Sequence, residues 1–246
     1  MDQADRLRQM VSETEQKPSA RVITVTSGKG GVGKSSLSLN LAICMSRMGK
    51  RVVLLDADFG LANIEVMLGI RPQANLADLM FRGRTLADII TDGPEGIKFI
   101  SGGSGIQELA SMNKDQVLYL TKRLAELDNY ADLIIIDTGA GISDSVLEFV
   151  ASSNEVLLIA TPEPTSITDA YALLKALNRK SEFSKSSTTI KFIANRVKDE
   201  EEGRVLYENM KNVVSKFLSI NLDFVGSIPQ DDQISKAVMR QKPVTI

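Results

Sequence analysis

The sequence predicts an α/β fold, a doubly wound and mostly parallel sheet flanked by helices, with a short N-terminal helical extension. Three observations lead there. Short runs rich in Val and Ile recur along the chain, stretches of helical length separate them, and the first run opens into a glycine-rich loop. Near-continuous apolar runs suit strands buried on both faces, and their alternation with helices indicates βαβ units.

In chain order, Ala4, Leu7, Met10 and Val11 share one face of a short helix, with Asp2 placed as its N-cap. The polar stretch Ser12–Ser19, with Pro18, is expected to be a linker. Residues 1–20 therefore form an extension and residues 21–246 one domain. Strands are expected over Val22–Thr26, Val52–Leu55, Leu133–Ile136, Val156–Ala160, Ile190–Ala194 and Phe224–Ile228. Helices are expected over Lys34–Met48, Lys114–Leu127, Ser143–Ala151, Ser166–Leu177 and Glu201–Phe217.

Composition excludes several chemistries. A chain of 246 residues buries a sizeable core without disulfides or a structural metal. The chain has no histidine, which rules out His-ligated zinc and Ser-His or Cys-His catalysis. Cys44 is the one cysteine, so no internal disulfide forms; mid-helix, it is expected to pack as a small apolar residue. A net charge of −2 argues against nucleic-acid binding other than through a local patch. Met1–Lys17 has no apolar core of a signal peptide, and no run approaches the ~20 apolar residues of a membrane span, so a cytoplasmic location is expected.

The strand Val22–Thr26 runs into Gly28-Lys29-Gly30-Gly31-Val32-Gly33-Lys34-Ser35-Ser36, and a helix follows. This fits G-x-x-x-x-G-K-[ST] in its required context of strand, loop and helix. The glycines let backbone N–H groups curl around phosphate oxygens, and the helix N-terminus adds partial positive charge. Lys34 is expected to reach the β- and γ-phosphates, and the Ser35 hydroxyl to ligate Mg²⁺. The buried run Leu133–Ile136 ends in Asp137, expected to bind Mg²⁺ directly or through water, followed by the flexible Thr138-Gly139-Ala140-Gly141. Strand Val52–Leu55 ends in Asp56-Ala57-Asp58, which places carboxylates in the crevice where open α/β sheets bind ligands.

The extra lysine in K-G-G-V-G-K-S makes the loop resemble the deviant form of the MinD, ParA and nitrogenase iron-protein family, a resemblance covering nearly all of Arg21–Ile246. It implies an ATPase whose two copies dimerise around ATP, with Lys29 reaching the partner's nucleotide. A loop lysine has the stem length for that, the part an arginine finger plays elsewhere. It further implies that Asp58 positions the attacking water and that Asp56 lies near the Mg²⁺ shell. Glu163 is implied to approach Lys29 at the dimer interface. The segments Asn195-Arg196 and Pro229-Gln230-Asp231 resemble this family's adenine site; a carboxamide such as that of Asn195 both donates and accepts, as the adenine edge requires. The guanine-selecting N-K-x-D segment is absent, which favours ATP.

Within this family, Asp2-Gln3-Ala4-Asp5-Arg6-Leu7-Arg8 resembles the D-Q-A-x-x-L-R segment of the FlhG (FleN, YlxH) flagellar regulators. That implies binding of a signal-recognition-type GTPase, FlhF, through Asp2, Gln3, Ala4, Leu7 and Arg8, with Gln3 acting at its site. Flagellar C-ring proteins are further implied partners. Relatives continue into a membrane-anchor helix, whereas this sequence stops at Pro243-Val244-Thr245-Ile246, so this chain is expected to bind membrane poorly. A division-site MinD and a ParA-type DNA-segregation ATPase remain the alternatives.

Overall fold

The computed structural model describes residues 19–59, 61–180, 183 and 188–246. Asp2, Gln3, Ala4, Leu7 and Arg8, with the expected N-terminal helix and nearly all of the linker, lie outside the described residues. All six expected strands form: β1 (Arg21–Thr26), β2 (Val52–Ala57), β5 (Leu133–Thr138), β6 (Glu155–Ala160), β7 (Thr189–Val197) and β8 (Leu222–Pro229). Each is longer than its apolar run, because flanking residues stay in the strand: Arg21 and Glu155 at N-terminal ends, Asp56 and Asp137 toward C-terminal ends, and both ends of β7 and β8.

Two strands at one edge escaped the apolar pattern. β3 (Thr91–Asp92) and β4 (Lys98–Ile100) have only two and three residues, too few to show a period. The sheet order is β3-β4-β2-β5-β1-β6-β7-β8, with β3 antiparallel to β4 and the remaining pairs parallel. The C-terminal ends of the parallel strands therefore share one edge of the sheet.

The long expected helices are α1 (Lys34–Arg47), α6 (Lys114–Leu124), α7 (Asp144–Ala151), α8 (Pro164–Asn178) and α9 (Glu200–Phe217). α6 stops three residues before the expected end and tightens into a 3₁₀ turn over Ala125–Asn129. Short helices went unread for the same reason as the short strands: α2 (Asn63–Leu68), α3 (Leu76–Phe81), α4 (Leu86–Ile89), α5 (Gln107–Ala110) and α10 (Asp232–Met239). Cys44 corrects the sequence reading, since it is exposed. α1 turns Leu39, Ala42 and Ile43 onto the sheet, and the ~100° step past Ile43 carries Cys44 to the outer face.

The core lies on both sides of the sheet. Successive residues of a strand face opposite ways, so Val53 and Leu55 join Ile134, Ile136 and Phe149 on one face. Val52 and Leu54 join Ile135, Leu39 and Ile43 on the other. None of the described helices is long and apolar enough to cross a membrane.

α9 approaches β7 and β8 through Gly203, where a Cβ would lie 2.0 Å from Ser227 Oγ and 3.2 Å from Ala194 Cβ. Gly203→Ala gains about 1 kcal/mol of helix propensity but forces this contact apart, at about 1–3 kcal/mol. Urea unfolding of this variant is expected to show a lower midpoint than wild type; a higher midpoint would mean that α9 does not pack this closely.

Candidate functional site

The phosphate loop is shaped by its glycines at two contacts. A Cβ on Gly28 would sit 2.0 Å from the carbonyl carbon of Asp169 in α8, so only glycine lets the chain leave β1 beneath that helix. Gly33 has φ 99°, caps α1 without a side-chain hydrogen bond, and would place a Cβ 2.4 Å from Asn195 Nδ2. The first N–H groups of α1 are thus left for an anion, where the helix dipole favours one. Between these glycines, Gly30 and Gly31 are exposed and Val32 is buried, while Ser35 and Ser36 open the helix half-exposed.

Lys34, first in the helix, is buried. Desolvation lowers its pKa, and the charges of Asp137 and Asp58 oppose that. Asp56 and Asp137 are paired in register on β2 and β5, both without solvent exposure. Asp137 Oδ1 accepts from Ser38 Oγ at 3.0 Å, while Oδ2 has no hydrogen-bond partner. Asp56 accepts from the backbone N–H of Asp58 (3.2 Å) and of Ile64 (3.1 Å), so it also anchors the start of α2. Burial pushes the Asp56 carboxyl up to about 7, helped by the charge of Asp137. Burial likewise raises Asp137 to about 6 against the pull of Ser35, Lys34 and Ser38.

An orphaned buried carboxylate oxygen, a second carboxylate beside it and the Ser35 hydroxyl form a hard, all-oxygen donor set. These residues fit Mg²⁺. Asp58 lies at the mouth, half-exposed, accepting from Asn63 Nδ2 at 3.0 Å. A Cβ on Gly139 would meet its Oδ1 at 3.0 Å, so the segments after β2 and β5 touch. Gly141 N–H in turn donates to Ser27 O at 3.0 Å, which ties the post-β5 loop to the phosphate loop.

Lys29 is half-exposed and held within its own chain: its ammonium pairs with Glu163 and donates to Thr165 Oγ1 at 2.9 Å. That ion pair, with a smaller contribution from Arg196, holds the Glu163 carboxyl below its usual range. Glu163 and Thr165 flank the N-terminus of α8, so the lysine, its acid and the phosphate loop share one sheet edge.

Asn195, Arg196, Pro229 and Asp231 come together, as the sequence reading expected. With Gly33, Ser36, Gln230 and others they line a cavity of about 240 Å³. Asn195 Nδ2 donates to Val32 O at 2.7 Å and so pins the loop from within the cavity lining. Arg196 is exposed at φ 57°, a left-handed conformation costly for a residue with a side chain. Asp231 caps α10 by accepting from Gln233 N–H at 2.8 Å. Sequence reading missed Leu37, Asn40, Ile234, Ser235 and Val244 in the same lining. Of these, Asn40 was findable: it lies one helical turn beyond Ser36 on the face that the phosphate loop turns toward the cavity.

A family model described as the CobQ/CobB/MinD/ParA nucleotide binding domain matches residues 23–244. The chain belongs to this MinD/ParA-type family. The antiactivator FleN of Pseudomonas aeruginosa is 42% identical over 91% of this chain and 79% of its own length. The flagellum site-determining protein YlxH of Helicobacter pylori is 34% identical over 93% of this chain and 76% of its own. Among solved structures, the septum site-determining protein MinD complexed with Mg-ADP from Pyrococcus horikoshii superimposes with a TM-score of 0.73 at 25% identity. That match covers 91% of this chain and 87% of MinD. The resemblance to FlhG-type members of the MinD/ParA-type family stands, and the doubly wound sheet is that of MinD.

The paired carboxylates make the metal-free protein sensitive to pH. An unfolded aspartate releases its proton near about pH 4. The folded chain keeps protons on Asp137 and Asp56 up to about 6 and about 7. The folded state therefore binds more protons in that window, and stability falls as pH rises from about 4 to about 7, then levels. Denaturant titrations with chelator present are expected to show this fall, with a shallower slope for Asp56→Asn. Equal slopes would mean that Asp56 is ionised in the folded metal-free chain.

Proposed function

We propose that the chain is an ATP-driven dimerising switch that sets the number and placement of flagella, working in the cytoplasm and, in a parent protein carrying the membrane anchor of relatives, at the inner face of the membrane. The observation that carries this reading is the meeting, on one sheet edge, of a phosphate loop, three carboxylates and a loop lysine directed to α8. Similarity to FleN and YlxH supports the flagellar assignment, and the absence of an N-K-x-D segment supports ATP over GTP.

In this mechanism the loop Gly28–Ser36 cradles the phosphates, and Lys34 neutralises charge on the β- and γ-groups. Ser35 and Asp137, with Asp56 behind them, would hold Mg²⁺, which supplies charge stabilisation to the phosphates. Asp58 orients a water toward the γ-phosphorus. That water adds to phosphorus as the bond to the β–γ bridging oxygen breaks, giving ADP, inorganic phosphate and a proton. Orientation is the role given to Asp58, because a carboxylate is a weak base.

Two copies close on two nucleotides, and each Lys29 exchanges Glu163 for the partner's phosphates. ATP then favours the dimer through contacts a monomer cannot make. Loss of the γ-phosphate releases the Asp58 and Gly139–Gly141 segments together and ends the dimer state. Turnover is slow, as a switch of defined lifetime requires.

Residues 1–20 are the partner-binding extension, with Gln3 reaching the active site of the FlhF-type GTPase and Leu7 supplying apolar contact. Ser19 and Ala20 are tied to Asp128, at the start of β1. The extension therefore leaves from the end of the sheet opposite the phosphate loop, roughly 20 Å away for a six-residue strand.

The test is GTP hydrolysis by the FlhF-type GTPase, with the full chain and with a peptide of Met1–Lys17. Both are expected to stimulate it, and Gln3→Ala in either to abolish the effect. No stimulation by the wild-type chain would remove the flagellar partner and favour a MinD or ParA role.

A further inference from the structure

The C-terminal residues Gln241–Ile246 lie across the base end of the cavity, and their attachments are specific. Val244 lines the cavity and Pro243 is buried beside it, against Ser36, Asn40 and Met67. One side chain joins this segment to the phosphate-loop helix. Asn40 Nδ2 donates to Ser36 O at 2.8 Å, while its Oδ1 accepts from Thr245 N–H at 3.1 Å and Thr245 Oγ1 at 2.9 Å. Arg47 of α1 also donates to Thr245 O. At the other end Gln241, in a left-handed conformation at φ 52°, donates from Nε2 to Val66 O of α2 at 3.2 Å.

We propose that Gln241–Ile246 is a strap closing the base end of the nucleotide cavity, held in place by Asn40 and Thr245 as positioning residues. The proposal rests on reading this cavity as the adenine site. A base filling the cavity packs against Val244, so its binding energy depends on the strap being seated. A ligand made of phosphates alone occupies the loop and does not reach Val244. Because Asn40 uses both ends of its amide, the strap and the first turn of α1 are fixed by the same side chain. Asn40 itself lines the cavity, whereas Thr245 does not, so the two residues separate direct contact from positioning.

The experiment measures affinities of the full chain for Mg-ATP and for Mg-tripolyphosphate, in wild type, Thr245→Val and Asn40→Ala. Loss of one or two hydrogen bonds predicts a fall in ATP affinity of about three- to tenfold, larger for Asn40→Ala. Tripolyphosphate affinity is expected to stay within about twofold for Thr245→Val, the change left when no hydrogen bond to the ligand is lost. Asn40→Ala, in contrast, also frees Ser36 O of the phosphate loop and weakens both ligands. In wild type, ATP is expected to slow hydrogen exchange at the Thr245 amide, and tripolyphosphate to leave it unchanged. An equal loss for both ligands in Thr245→Val, or unchanged ATP affinity, would overturn the strap. A wild-type chain that holds tripolyphosphate as tightly as ATP would overturn the base-site reading itself, and the strap with it.

Discussion

Two aspartates buried side by side set the terms for this site. Asp56 and Asp137 face the same crevice from adjacent strands, with no water to screen them. Several neighbours answer that concentration of acid: the Lys34 ammonium, the Ser38 hydroxyl, and the N–H groups of Asp58 and Ile64; the Asp58 carboxylate adds to it. These contacts still leave one oxygen of Asp137 without a partner. A buried acid pair of this kind is held either by protons or by a cation, and Mg²⁺ with nucleotide is the cation for which the surrounding oxygens are suited. The same contacts make the site responsive. Because Asp56 anchors α2 through Ile64, a charge change at the metal position reaches the segment that carries Asp58.

Lys29 follows a different logic from Lys34, though only four residues lie between them. Lys34 is walled in by the helix it begins, and its charge serves its own site. Lys29 is half-exposed and satisfied by Glu163 and Thr165, groups at the rim of the same edge. An exposed ion pair is worth little, so it positions the lysine without trapping it. In the proposed cycle that weak hold lets a partner's phosphates compete for the ammonium once ATP is bound.

Much of this was legible in the sequence because it depends on local pattern. The six longer strands show themselves as Val- and Ile-rich runs, and the phosphate loop by glycine spacing followed by lysine and serine. Asp137 ends its strand visibly, and so does Asp56. What escaped was whatever depends on distance in space. The short strands Thr91–Asp92 and Lys98–Ile100 have no period to read, and the placing of β4 beside β2 and of β3 beside β4 is a matter of tertiary pairing. Cys44 looked like a core residue by type, while the phase of α1 turns it outward. Thr245 and Asn40 are 205 residues apart and carry no shared motif, so only the fold brings them together.

The central claim is that ATP, and not ADP, joins two copies through Lys29. Sedimentation velocity of the Asp58→Ala chain, which keeps ATP uncleaved, tests it most directly. The account predicts a dimer with Mg-ATP, a monomer with Mg-ADP, and a monomer with either when Lys29→Ala is added. A monomer under Mg-ATP in the presence of a bound nucleotide, or a dimer indifferent to the nucleotide and to Lys29, would contradict it.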